Sequence, residues 1–575
     1  MFRLFRLIRP YRGYVAAVLV LALAQSLGFL LLPRLMSDIV DKGIVRGDQA
    51  AILRIGGLML LMSIVATACA IAASYYSAKV STGFGRVLRG AIFARVERFS
   101  IHQFDRFTAA SLVTRTTNDT TQVQQMLTMM LTMVVPAPMM AIGGIVLALS
   151  QDTQLAWVLV AVMPVMAIVF GAILRGALPL SQAMQSKIDR LNQVLGEGLS
   201  GARVIRAFDR GAHQRERFDR ANLDLTDTAI AMNRLVACLM PSLIVMLNLT
   251  GIAIIWFGSH RIDEGVMQVG AMIASLQYAM QILFAVFMVT AMFVMLPRAS
   301  ASAARINDVL DVAPEIVDPA PPGLGPAGSG HVEFRNVTFQ YPGAQEPALA
   351  GVSFTAHPGE VTAIVGGTGS GKSTLAGLIP RFYDVNEGRV LVDGVDVRDM
   401  TQADLRARIG FVPQKAVLFT GTIATNIRYG RRDATDEDVR RAAEVAQAIE
   451  FVEAMPETFA SPVSQGGINL SGGQKQRLAI ARAIVRRPAI YVFDDTFSAL
   501  DFATDARLRA ALGKETAGST VFIVAQRIST VMNADRIVVL DNGRVVGIGT
   551  HDELLGKSPV YREIVASQIS LEEVA

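Results

Sequence analysis

Two patterns of apolar residues divide the chain. In the first half they form six long runs, at about 14–32, 55–76, 129–150, 156–174, 235–258 and 269–296. Each is close to the ~20 residues that carry an α-helix across a bilayer. A few polar residues separate the third run from the fourth, and the short turn His260 to Glu264 separates the fifth from the sixth. Beyond residue 330 hydropathy falls, and short β-branched runs alternate with helical stretches, as an α/β domain requires. Between the two halves, residues 314–330 are rich in proline and glycine and read as a linker. The predicted architecture is an all-α transmembrane domain of six helices at 1–310, a linker at 311–330 and an α/β domain at 331–575.

Composition supports that division. Hydrophobic residues make up 52% of the 575, and the mean hydropathy is +0.40; a soluble protein is seldom so apolar. A net charge of +5 invites a nucleic-acid reading, but the basic residues of the first half flank apolar runs, so no nucleic-acid partner is expected. Lys79, Arg86, Arg89, Arg95, Arg98, Arg106 and Arg115 crowd the loop after the second run, and Arg175, Arg203, Arg206, Arg210, Arg215, Arg217, Arg220 and Arg234 the stretch after the fourth. That excess places both termini and the α/β domain in the cytoplasm of a cell-membrane, multi-pass protein. These loops contain few breakers, so the spans are expected to continue beyond the bilayer as helices. Their polar tips carry Phe104, Phe107 and Phe208, suited either to docking on another domain or to solvated turns.

Arg3, Arg6, Arg9 and Arg12 alternate with Phe2, Leu4, Phe5, Leu7 and Ile8, predicting a basic amphipathic helix in the cytoplasmic interface. No small-residue cleavage site follows, so the first run reads as a retained span. Cys69 and Cys238 lie in apolar segments, which indicates neither a disulfide framework nor a cysteine metal site. Met126, Met129, Met130, Met133, Met139 and Met140 crowd the third run, either as an adaptable surface for apolar molecules or as packing. Gln25, Gln277 and Gln281 can line a cavity or hydrogen-bond helix to helix.

The chemistry lies in the second half. A short apolar strand at 361–365 runs into Gly366-Gly367-Thr368-Gly369-Ser370-Gly371-Lys372-Ser373, with a helix expected from Thr374. This is the strand, glycine-rich loop and helix whose backbone amides cradle phosphates. Lys372 would reach the β- and γ-phosphates of ATP, and the Ser373 hydroxyl would ligate Mg2+. A second apolar strand, Ile490-Tyr491-Val492-Phe493, ends in two carboxylates, Asp494 and Asp495. One can hold the metal and the next can face an attacking water. Leu470-Ser471-Gly472-Gly473-Gln474 opens another helix; alone it reads equally as a phosphate contact or a helix cap.

Together these motifs resemble the nucleotide-binding domain of ATP-binding cassette (ABC) transporters, and six spans fused ahead of one such domain resemble an exporter half-transporter. The resemblance covers nearly the whole chain. It implies that Tyr341 stacks on adenine, that Gly366 to Thr374 hold the phosphates, and that Gln414 belongs to the glutamine loop near the metal held by Ser373 and Asp494. It also implies that Ser471, Gly472, Gly473 and Gln474 form the signature sequence, which contacts the ATP of a second subunit, and that Ser498 to Asp501 form a dimer-contacting loop. Three positions depart from the family pattern. Asp495 stands where the catalytic glutamate belongs, Gln526 where the switch histidine belongs, and Gln465 where exporters usually carry a glutamate before the signature.

The shorter Asp495 carboxylate misplaces a base by about 1 Å, enough to cost ~100-fold. The Gln526 amide can hydrogen-bond a phosphate but cannot become cationic. The expected function is ATP-driven export of a hydrophobic small molecule, lipid or peptide by alternating access. The resemblance implies that this chain is the degenerate-site half of a heterodimer, whose expected partner is a second half-transporter with the Glu and His in place. A homodimeric exporter of slow turnover and an ATP-gated regulator or channel on the same fold are the alternatives.

Overall fold

The computed structural model describes residues 3–320 and 328–572; residues 321–327 of the predicted linker lie outside them. The chain divides into two compact units, Met1–Arg98 with Asp105–Ala313, and Phe99–Phe104 with Pro314–Ala575.

Six helices of the first unit are long and apolar enough to cross a membrane. They far outrun the apolar runs that predict them. The second is a single helix, Gln49–Val96, and the fourth another, Thr153–Ser200. The sequence has few breakers in these loops, and the helices continue past the bilayer as expected, the fourth through Pro179. Helix starts are fixed by side chains. The Asp48 carboxylate accepts Ala51 N–H at 3.0 Å, and Asp152 accepts Gln154 and Leu155 N–H at 2.9 and 3.0 Å.

Small residues let spans approach closely. A Cβ on Gly28, in the first span, would lie 2.7 Å from the Ala66 Cβ in the second. The first span also bonds to the sixth. Gly270 N–H donates to Asp41 at 2.7 Å, Tyr278 O–H to the Leu30 carbonyl at 3.1 Å, and the Gln281 amide to the Phe29 carbonyl at 3.2 Å. For Gln281 the helix-to-helix alternative is the one observed.

Local geometry departs from the hydrophobic pattern in three places. The N-terminal basic segment is a 3-10 helix, Leu4–Tyr11. Residues three apart eclipse in that geometry, so Arg6 and Arg9 share one row. The expected turn at His260 to Glu264 is mostly helix, because the fifth span runs to Asp263. Arg261 on its last turn donates to Asp152 at 2.9 Å, tying the fifth span to the start of the fourth. The third span contains two π-helical turns, Arg115–Asp119 and Met130–Val134. The first of these faces Asp119 toward the sixth helix, where Ser302 Oγ and Arg305 Nε donate to it at 2.9 and 2.8 Å.

In the second unit a six-stranded sheet runs, in spatial order, Arg544–Gly549, Arg536–Asp541, Val361–Gly366, Thr520–Val524, Ile490–Asp494 and Ile409–Val412. All neighbours are parallel except the first pair. Alternate residues face two cores. Ala363, Val365, Tyr491 and Phe493 point to one, and Ile364 and Val492 to the other, beneath an antiparallel sheet of four strands. In this unit Ser100 Oγ donates to Glu315 at 2.5 Å, with His102 Nδ1 at 3.3 Å from the same carboxylate.

Removing Arg305 would take the counter-charge from the Asp119 carboxylate, whose side chain is 3% exposed, and leave it only the Ser302 hydroxyl among the partners described above. Arg305→Ala is expected to cost about 2 kcal/mol, below the range for fully buried pairs because the guanidinium side chain is 48% exposed. Replacing both partners by apolar residues should recover most of that loss. Thermal unfolding in detergent measures both, and an unchanged midpoint for Arg305→Ala would contradict the assignment.

Candidate functional site

Four neighbouring parallel strands end at one edge of the six-stranded sheet, and the candidate residues follow them directly. Ligand sites of open α/β sheets lie at such edges. The Val361–Gly366 strand feeds the glycine-rich loop, and the helix begins at Lys372, two residues before the expected Thr374. Gly371 caps it with φ 96°, and a Cβ there would lie 2.6 Å from the Ala348 carbonyl oxygen; only glycine fits. Lys372 curls back over the loop, its Nζ donating to the Gly366 and Gly367 carbonyls at 2.9 and 2.6 Å. Burial lowers its pKa, against the charges of Asp495 and Asp494. Ser370 Oγ is buried without a hydrogen-bond partner. An orphaned hydroxyl and a lysine bonded only to its own loop fit a cradle built for an anion.

Tyr341 is drawn to the same loop. Its hydroxyl lies 2.9 Å from Thr374 Oγ1, and its ring packs edge-on against Phe339 and Tyr383 at 4.9 and 5.5 Å.

The two carboxylates diverge at the end of the Ile490–Asp494 strand. Asp494 accepts a hydrogen bond from Ser373 Oγ at 2.9 Å, which brings the two predicted metal ligands together. Burial holds its carboxyl above the usual range, partly offset by the Ser373 hydrogen bond. Hard oxygen donors of this kind suit Mg2+, which takes one or two carboxylates and completes its shell from phosphates and water.

Asp495 adopts the left-handed conformation, φ 45°, a region that Asp enters more readily than most residues. Its N–H donates to the Val524 carbonyl at 3.0 Å. Its Oδ2 accepts two amides, Gln414 Nε2 at 3.0 Å and Gln526 Nε2 at 2.9 Å. Three candidates from three adjacent strand ends thus meet on one oxygen. With Nε2 engaged, Gln414 keeps its Oε1 as the atom able to reach a metal.

The Ser471 to Gln474 stretch forms a capping box. Ser471 Oγ accepts Gln474 N–H at 3.3 Å, and Gln474 Oε1 accepts Ser471 N–H at 2.9 Å. The helix Gly472–Ile484 follows. Ser471 and Gly472 are exposed and take no part in the convergence on Asp495. Ser498 Oγ donates to the Asp495 carbonyl at 2.9 Å. Asp501 caps the helix Phe502–Glu515, and the Thr504 N–H holds its carboxyl below the usual range.

No sequence motif points to two further residues. Arg509 Nη1 donates to the Ser529 carbonyl at 3.1 Å. Gln568, on the helix Pro559–Glu572, bonds to the backbone on both sides of Arg527.

Comparison with known proteins points to one family. Residues 15–286 match the model of the ABC transporter transmembrane region, and residues 349–498 that of the ABC transporter. An uncharacterized ABC transporter ATP-binding protein of Mycobacterium tuberculosis is 46% identical over 98% of this chain and 97% of its own length. An ATP-dependent lipid A-core flippase of Chromobacterium violaceum is 31% identical, over 98% of this chain and 97% of its own. Among solved structures, a bacterial Atm1-family ABC exporter with ATP bound superposes with a TM-score of 0.81 at 26% identity, covering 98% of each chain.

A raised carboxyl pKa brings protonation to a higher pH than an ordinary Asp, ~3.9, and protonation removes a metal ligand. Acidification should therefore weaken the Mg2+-dependent part of ATP binding, beginning at a higher pH than an ordinary Asp would give. Asp494→Asn should abolish the share of that pH dependence owed to the carboxylate. Equilibrium binding titrations measure it, and identical pH profiles for the two proteins would contradict the prediction.

Proposed function

The chain belongs to the ABC transporter family, and from that premise we propose that it is the degenerate-site half of a heterodimeric exporter. Membership makes it a multi-pass membrane protein that couples ATP hydrolysis to transport, with its nucleotide-binding domain on the cytoplasmic side. In this reading residues 1–310 are the membrane domain, 311–330 the linker and 331–575 the cassette.

The observation that carries the reading is the hydrogen bond between the two altered positions, Gln526 Nε2 to Asp495 Oδ2 at 2.9 Å. A carboxylate oxygen that already accepts two amides is a weakened base toward water. It also sits one methylene short of where glutamate would reach, and its amide partner cannot become cationic. Such a site holds ATP better than it cleaves it.

The signature stretch supports the other half of the reading. It is complete, exposed and preorganised by its own capping box, with Ile468 beside it 81% exposed. That face suits the γ-phosphate of a partner's ATP, where the partner's Glu and His would complete a hydrolytic site. Val204 and Phe208, on the tip of the second long loop, are 61% and 73% exposed, and an apolar tip of this kind suits a groove on a partner's cassette.

On nucleotide binding, Lys372 would leave the loop carbonyls for the phosphates, while Tyr341, held by Thr374, would present its ring to the adenine. Ser373 and Asp494, with Gln414 Oε1, would hold Mg2+, which supplies charge neutralisation between the β- and γ-phosphates. Closure of the two cassettes on ATP would turn the spans outward, and hydrolysis at the complete site would reset them. The substrate class is lipophilic or amphipathic: a lipid, a hydrophobic small molecule or an apolar peptide. The likeness to a lipid A-core flippase favours it, as does the use of Gln281 between helices.

In the heterodimer, Asp495→Ala should leave steady-state hydrolysis nearly intact, whereas Ser471→Ala should lower it about tenfold or more, as loss of a phosphate donor does. Equal losses would contradict the assignment. Robust ATPase by the chain alone, abolished by Lys372→Ala, would fit the homodimeric alternative instead. Transport into sealed vesicles, ATP-dependent and vanadate-sensitive, separates a pump from a channel.

A further inference from the structure

We propose that Gln568 is a positioning residue that sets the switch residue Gln526 toward Asp495 from the C-terminal helix; the proposal rests on the reading that Gln526 faces the nucleotide. After Ala525 the switch segment leaves the sheet, and its backbone loses its strand neighbours. Gln568 replaces them. Its Oε1 accepts the Ile528 N–H at 2.8 Å, and its Nε2 donates to the Gln526 carbonyl at 2.7 Å. One carboxamide thereby pairs both groups, as an adjacent strand would. The Gln526 side chain, leaving from this clamped backbone, donates to Asp495 at 2.9 Å.

The clamp is anchored without Gln568. Tyr561 and Val565 of the same helix are 0% and 6% exposed, and the Tyr561 hydroxyl lies 2.8 Å from His551 Nδ1. The opposite side of the switch segment is held by the helix that follows the dimer-contacting loop. Arg509 donates to the Ser529 carbonyl at 3.1 Å and pairs with Asp505 at 3.2 Å, and the Arg527 guanidinium lies 5.1 Å over the Phe502 ring. The segment is therefore gripped from two helices, and Gln568 bonds to the main chain of Gln526 itself.

The test is the release rate of a photo-crosslinkable ATP analogue from this chain in the full-length dimer, with Mg2+, for Gln568→Ala, Gln526→Ala and the double variant. Gln568→Ala is expected to speed release about tenfold, the scale of a lost pair of neutral hydrogen bonds. Its melting temperature should be unchanged, because Tyr561 and Val565 still anchor the helix. Since Gln568 acts through Gln526, the double variant should release no faster than Gln526→Ala. Additive effects, or wild-type release by Gln568→Ala while Gln526→Ala is fast, would overturn the positioning role alone. Wild-type release by Gln526→Ala would overturn the reading of the switch position and the proposal with it.

Discussion

Asp495 Oδ2 is the point on which the phosphate-facing edge of the cassette is organised. It accepts Gln414 at 3.0 Å and Gln526 at 2.9 Å, and each of the three residues follows a different strand of one parallel sheet. A carboxylate has no proton to give, so both amides must turn their nitrogens to it. That requirement fixes both glutamine side chains and leaves the Gln414 oxygen free on its other side. It also makes the residues at positions 495 and 526 interdependent. The short Asp carboxylate and the neutral Gln donor fit one another, so the pair reads as one arrangement.

Around that point the remaining contacts are arranged to wait for a ligand. Lys372 is bonded to its own loop, the Ser370 hydroxyl is buried without a partner, and Asp494 is bonded to Ser373. Lys372 and Asp494 are bonded within the site and the Ser370 hydroxyl is not, an arrangement that suits a phosphate and its metal. The signature stretch is the opposite case, with its end groups already satisfied by its own capping box.

Much of this is legible from the residues alone, for identifiable reasons. Runs near 20 apolar residues announce spans because the bilayer demands them, and all six are helices here. The glycine-rich loop is legible because no other residue fits at Gly371. Helix ends are less so: Lys372 starts its helix earlier than the composition suggests, and the fifth span swallows the turn at 260 because Arg261 finds Asp152. The π-helical turn at Arg115–Asp119 leaves no mark in the hydrophobic pattern, and the partners of Asp119 there, Ser302 and Arg305, are distant in sequence. Gln568 is invisible for the same reason. It is an ordinary polar residue on an amphipathic helix, and its role depends on backbone groups some forty positions away.

The central claim is that the two ATP sites of the transporter have different fates, with this chain's phosphate loop keeping its nucleotide intact. The most direct measurement is the phosphate content of nucleotide held by each chain during turnover. The assembled transporter is stopped by rapid photo-crosslinking of an adenine-labelled ATP analogue, and the chains are then separated. The account predicts triphosphate on this chain and diphosphate accumulating on its partner. Diphosphate in equal share on both chains would contradict it.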